Sequence, residues 1–193
     1  MKTNAHFFTM LRIPEIFFSC IILFAALIFF QSCDKKDPMP VNEEEVITTL
    51  TMTLTPNGGG MPVLLKFFDE DGENGSISPV NTVSGPLTAS TTYSGKIQLL
   101  NETEDPAEDI TIEVEEESND HLFCFMTTGN ITTAYEDQDD NGFPVGITTS
   151  WLTGGRGSAG ITITLRHQPG TKTGVCPGPG ESDVEVSFDL IVQ

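Results

Sequence analysis

One turn of this chain carries the residue pattern most suited to chemistry. Asp137-x-Asp139-x-Asn141-Gly142 sets carboxylate and amide oxygens at alternate positions ahead of a glycine. Hard oxygen donors spaced in that way wrap a hard cation such as Ca²⁺, and the glycine lets the backbone turn back on itself. The pattern is half of an EF-hand loop. Its twelfth position, where a bidentate acid belongs, is Thr148, and strands rather than helices are expected on both sides. The same residues read as a polar hairpin turn, because Asn-Gly is a strong turn signal. Asp69-x-Asp71-Gly72-x-Asn74-Gly75 is a second acidic turn of less regular spacing.

Other reactive residue types are sparse. Beyond the N-terminal leader the histidines are His121 and His167, and no HExxH, nucleophile elbow or zinc-type cysteine spacing accompanies them. A triad or zinc site would have to be built by tertiary proximity alone, so both are expected as surface histidines at strand ends. A haem or copper site would need His121 with Met126, and nothing else in the chain points there. Cys124 and Cys176 can pair in an oxidising compartment, stapling the loop GTKTGVCPGPGE to the strand at 121–127. The alternative for Cys124, set within LFCFM, is a buried free thiol. Gly155-x-Gly157-x-x-Gly160 has the letters of a dinucleotide fingerprint, but ITITLRH follows it as a strand where a helix is required, and a glycine-rich hairpin loop is expected. Trp151 and Tyr135 read as core aromatics rather than a sugar platform.

The elements that must position these residues begin after an apolar leader. Ile16–Phe30 is a continuous apolar run, preceded by Lys2 and Arg12 and ended by Gln31, Ser32 and Cys33. At 15 residues it is short for a membrane span, which needs about 20, and it has the grammar of a signal peptide. Serine before cysteine, then Asp34-Lys35-Lys36-Asp37, resembles a lipobox. Cleavage after residue 32 would leave Cys33 to take diacylglycerol, although Phe30 stands three before the cysteine where Leu is usual and Gln31 is bulkier than that pattern prefers. The expected organisation is a signal peptide over 1–32, a lipidated cysteine and flexible tether over 33–45, and a single domain over 46–193. The chain would then be a membrane-anchored lipoprotein of the cell envelope, in the outer membrane with a periplasmic or surface face. An uncleaved anchor and a simply secreted form are the alternatives, and Met10 begins a complete leader by itself.

The formal charge of −19 decides against one class of partner. A polyanion repels phosphate backbones unless a basic patch displaces counterions, so nucleic acid is not expected. The acids cluster at 43–45, 69–73, 102–108, 113–117 and 137–140, the habit of solvated loops.

From Val46 onward, short Thr-, Val-, Ile- and Leu-rich segments alternate with Gly, Pro, Asn and Asp clusters, which predicts an all-β domain, an antiparallel β-sandwich or partly open barrel. Strands are expected over 46–55, 62–68, 91–101, 121–127, 130–136, 145–152, 159–167 and 183–192. Alternation is clearest where Ile161, Ile163 and Leu165 oppose Thr162, Thr164 and Arg166. It recurs where Val184, Val186, Phe188 and Leu190 oppose a wet face of Asp183, Glu185, Ser187 and Asp189. One short helix is expected over 106–118, with Asp105 as N-cap, Pro106 at the first helical position and Glu108 in the first turn.

The stretches VNEEEVITTLTMTLTP, TASTTYSGKIQLLNETEDPAEDITIEVEEE, YEDQDDNGFPVG, TITLRHQPG and ESDVEVSFDLIVQ resemble a family of small envelope lipoproteins of Gram-negative bacteria, over most of residues 40–193. Members carry the label "type 1 periplasmic binding fold superfamily protein", which denotes two α/β lobes with parallel sheets and about twice this length. The strand pattern here does not match that label. The resemblance implies an envelope address and a β architecture and brings no activity with it. Three functions are therefore expected in turn: a lipid-anchored binding or structural module with an envelope protein or glycan as partner, a Ca²⁺-stabilised adhesion or assembly domain, and a carbohydrate-active or other hydrolase using clustered carboxylates. The lack of catalytic spacing puts the enzyme last.

Overall fold

The computed structural model describes residues 45–72 and 75–193. The leader, Cys33 and the tether up to residue 44 lie outside the described residues. Glu44–Gln193 form one compact unit. Its strands are β1 (Thr49–Pro56), β2 (Val63–Phe68), β3 (Val80–Val83), β4 (Thr92–Leu100), β5 (His121–Thr128), β6 (Ile131–Tyr135), β7 (Thr148–Thr153), β8 (Gly157–His167) and β9 (Glu181–Val192), and one short helix, α1 (Ile110–Glu116), follows β4. Every strand pairing is antiparallel, in a six-stranded sheet of order β3-β2-β1-β4-β7-β6 and a three-stranded sheet of order β5-β8-β9. The domain is an all-β sandwich, not a closed barrel. None of the described helices is long and apolar enough to cross a membrane.

Two-residue periodicity builds the core. In β4, Tyr93, Ile97 and Leu99 are buried while Thr92, Ser94, Lys96 and Gln98 face outward. In β1 the buried apolar positions are Leu50, Met52 and Leu54. From the smaller sheet, Ile161, Ile163 and Leu165 meet Val186, Phe188 and Leu190 in the same cluster. Burying a side chain of this size contributes about 1.5–3 kcal/mol, so these rows outweigh any single polar contact. Gly95 lies on the inner face because Trp151 takes its Cβ space: a Cβ there would stand 2.7 Å from the indole Nε1.

The helix begins later than the sequence predicts. Asn101 and Glu108 exchange both backbone hydrogen bonds at 3.0 Å, closing residues 102–107 into a loop that contains a cis Asp105-Pro106 peptide. The cap is Asp109, whose carboxylate accepts from the Thr111 N–H, not Asp105. Thr111 Oγ1 also bonds the Leu99 N–H and carbonyl, standing in where β4 has run past β7. Ile110 and Val114 then enter the core.

Two connections differ from expectation. The glycine-rich segment after β7 is not a hairpin, because β7 and β8 belong to different sheets and the chain crosses between layers there. β3 was not expected at all, being four residues paired along one edge only.

Candidate functional site

The sites anticipated from the sequence lie around the connections. Asp137 accepts from the backbone N–H groups of Gly146 (2.6 Å) and Thr148 (2.7 Å). Asp139 accepts from those of Asn141 and Phe143, both at 2.9 Å, and its other oxygen faces the Lys172 ammonium at 2.8 Å. The Asn141 amide donates to Asn119. Asp139 and Lys172 are both sealed from water, and burial, which raises a carboxyl, is outweighed by the Lys172 contact and the backbone donors, so Asp139 titrates below its ordinary range. The turn anticipated as a calcium loop is thus held by protein donors, with an ammonium where a cation's charge would act. In the second acidic turn the Asp71 carboxylate accepts from the Ser76 and Ile77 N–H groups.

Cys124 and Cys176 form a disulfide, with Cα atoms 5.6 Å apart. Cys124 points away from the sandwich core on the outer face of β5, where the 168–180 connection covers it. Lys172 bonding the Ser118 carbonyl and Gly170 bonding Asp120 anchor that connection further. Met126 is exposed and falls on the opposite side of β5 from His121, so these two do not share a metal.

The arrangement that sequence reasoning missed surrounds His121. Expected at the surface, it is fully buried. Its position is in phase with Phe123 and Phe125, so the pleat turns it inward, and that alternation is the one signal that could have found it. It pairs with His167, and the two rings stack with centroids 4.6 Å apart at 9°. Its Nδ1 meets the Glu117 carbonyl at 3.2 Å, just past the end of α1. Its Nε2 faces two carboxylates, Glu45 Oε1 at 3.1 Å and Asp183 Oδ2 at 4.0 Å.

Both acids arrive there for physical reasons. Asp183 belongs by alternation to the wet face of β9, but Leu165 pairs with Val184 and Arg166 with Ser182, leaving Asp183 as the extra residue of a β-bulge. A bulge interrupts the alternation and re-aims one side chain, and Asp183 ends 11% exposed. Glu45, expected as the last residue of the tether, has its side chain 9% exposed, and Ile47 and Thr48 after it are buried.

The electrostatics follow from that packing. Burial pushes His121 toward the neutral form, but the Glu45 carboxylate, the Glu117 carbonyl and Asp183 outweigh it and raise the imidazole above its ordinary value. Asp183 is pushed up to about 6, by burial first and then by the negative charge of Glu45, against His121 and Arg166. Glu45 Oε2, His121 Nε2 and Asp183 Oδ2 all lack a well-aligned hydrogen-bond partner although each is buried. One imidazole nitrogen and two carboxylates, with ligand atoms within 4.8 Å of one another, can take a divalent cation.

On the outer face of the six-stranded sheet an open groove of about 930 Å³ runs over β1, β4 and β7 and under α1. Its floor is Thr53, Ser94, Lys96, Gln98, Thr148 and Ser150, and Asp109, Glu115 and Glu136 stand along it. It offers hydroxyl, amide and carboxylate groups and a single ammonium. Comparison of the chain with protein-family models, with curated proteins and with solved structures returns no match.

Proposed function

We propose that the protein is a lipid-anchored binding module of the cell envelope whose sandwich holds an extended polar ligand, a glycan, along the groove over β1, β4 and β7. The observation that carries this reading is the groove itself: a concave floor of side-chain hydroxyls and amides from three adjacent strands. Alternate residues of a strand project on one face, so Thr55, Ser94 and Ser150 form one row of donors and acceptors across strands about 4.8 Å apart, and Thr53, Lys96 and Thr148 form the next. Such groups match the hydroxyls and amides of a sugar chain. The negative overall charge disfavours polyanionic glycans and leaves neutral or amine-bearing ones.

The anchoring half of the proposal stands on Cys33 and the apolar run before it. Intact-mass analysis of the protein from its native membrane is expected to show a chain starting at Cys33 with acyl chains attached. An intact leader or an unmodified Cys33 sulfur would overturn the address. For the ligand, soluble fragments of envelope glycan are titrated while backbone amide resonances are followed. Saturable shifts confined to β1, β4 and β7, abolished in Ser94→Trp, are expected; no shifts, or shifts elsewhere, would overturn the groove. A glycan-cleaving reading draws on Asp109, Glu115 and Glu136 lining one groove, and product release in the same titration separates it from binding.

A further inference from the structure

We infer that Glu45, His121 and Asp183 form a binding site for a single transition-metal ion of the Zn²⁺ type, which fastens the start of the domain to β5 and β9. This inference is independent of the glycan groove.

Three observations meet at one point. The donor atoms converge: Nε2 of His121 lies 3.1 Å from Glu45 Oε1 and 4.0 Å from Asp183 Oδ2. In a tetrahedral zinc site with bonds of about 2.0 Å, ligand atoms stand about 3.3 Å apart; the two distances bracket that value, and all three donor atoms lie within 4.8 Å of one another. The same three groups supply buried polar atoms without a well-aligned partner, Glu45 Oε2, His121 Nε2 and Asp183 Oδ2. Buried polar groups are nearly always satisfied, and here two carboxylate oxygens, Glu45 Oε2 and Asp183 Oδ2, have no partner beside an imidazole nitrogen that has only carboxylate oxygens before it, which points to a bound cation. The imidazole is also oriented as a ligand. Its Nδ1 meets the Glu117 carbonyl at 3.2 Å, and an N–H there donates to that oxygen and leaves the Nε2 lone pair toward the carboxylates. Metal-bound histidines are held in this way.

The neighbouring combination of Glu117, His121 and His167 is less suited, although its donor atoms also come close. The two rings are parallel within 9°, and nitrogen lone pairs lie in the ring plane, so stacked imidazoles direct them side by side rather than at a common ion. Charge and softness choose the metal. Two carboxylates neutralise a divalent cation, and an imidazole favours zinc over calcium or magnesium. Three protein ligands leave a fourth position for water. Binding requires neutral imidazole and ionised carboxylates, so loading releases protons and weakens as the medium acidifies.

The test is equilibrium dialysis and calorimetry of Zn²⁺ with the chelator-stripped mature chain at pH 7.5, with Ca²⁺ in parallel. One equivalent of zinc is expected to bind, to raise the melting temperature and to release protons in a buffer-dependent heat, while calcium leaves the melt unchanged. Zinc-edge X-ray absorption of the loaded wild-type chain is expected to show one imidazole in an otherwise oxygen shell. Glu45→Gln lies before the first strand, and is expected to keep the wild-type circular dichroism while weakening zinc at least tenfold. Asp183→Asn is expected to do the same. Absence of saturable binding, a shell with two imidazoles or sulfur, or unchanged affinity in folded Glu45→Gln would each overturn the assignment. Should either variant fail to fold, the absorption shell of the wild-type chain decides.

Discussion

Breaking the Cys124–Cys176 bond tests how the 168–180 connection is held. The two cysteines are 52 positions apart. In the chain-entropy description, closing a loop of that length removes enough freedom from the unfolded chain to stabilise the native state by about 4 kcal/mol at 25 °C. The folded side should change little, because Lys172 still bonds Ser118 and Asp139, and Gln168 still bonds the Asp120 and Pro179 carbonyls. Cys176→Ser is the right variant: Cys176 is exposed, whereas Cys124 is buried and can remain as a small apolar thiol. With a urea slope of about 2 kcal/mol per molar, the unfolding midpoint is expected to fall by about 2 M, and the slope itself to rise because the released chain exposes more surface. Near-ultraviolet circular dichroism should stay close to wild type. A midpoint within about 0.5 M of wild type would refute the loop-entropy reasoning, and alkylation of both thiols in the unreduced native protein would refute the bond.

Asp183 and His121 both bind protons more tightly in the folded chain, Asp183 at about 6 against an ordinary 3.8 and His121 above 6.5. Because the folded state then holds more protons, metal-free stability is expected to fall as pH rises from about 4, through 6.5 and into the His121 titration. Urea midpoints in chelator should show this, and Asp183→Asn should flatten the lower half of the profile and raise stability at pH 8; a midpoint climbing with pH across that window in the wild type would contradict it. Lys172→Met removes the buried partner of Asp139 and is expected to cost about 3 to 5 kcal/mol, read from the same denaturation curves. Since Lys172 already supplies the positive charge at that turn, calcium is expected to leave the wild-type melting temperature within error, and a rise of several degrees would favour the calcium-loop reading instead. Gly146→Ala combines a φ of +95° with a Cβ 2.8 Å from that of Phe123, and a loss of about 3 kcal/mol is expected by thermal melting, with a neutral result excluding the tight approach.

Legibility in the sequence followed the strength of local alternation. β9 is readable because Val184, Val186, Phe188, Leu190 and Val192 repeat at period two, and β4 and β8 are readable for the same reason. β3 was invisible: Val80-Asn81-Thr82-Val83 is short, exposed and follows a proline, and it exists only because β2 offers it an edge. Helical signals at Asp105 and Pro106 were real local preferences, overridden by the Asn101–Glu108 pairing, and Asp109 supplied the cap instead. The layer crossing after β7 could not be read, since glycine content reports a bend and not which sheet the next strand joins. The candidate metal site was the least legible part. Alternation placed Asp183 correctly for a regular strand, and a single inserted residue reversed it. Glu45 looked like tether because its neighbours are charged, and its ionic partner His121 lies 76 positions away in sequence.

The ties within the domain are distributed unevenly, and this bears on what the buried cluster can control. The 168–180 connection is held by a disulfide, a buried ammonium–carboxylate contact and hydrogen bonds to Ser118 and Asp120, so removing one leaves the others in place. At the other end, Thr48 enters the ladder through Leu100, and ahead of it Glu45 has His121 as its ionic partner among the described residues, with the Asp183 carboxylate on the same imidazole nitrogen. A change of protonation or of bound metal there acts on the point where the chain joins its domain, while the apolar rows of β1, β4, β8 and β9 stay packed. Glu45 follows Cys33 by only 12 residues. For a domain proposed to hang from that cysteine, fastening or freeing Glu45 would act on the segment that leads into β1 and leave the sandwich rows packed.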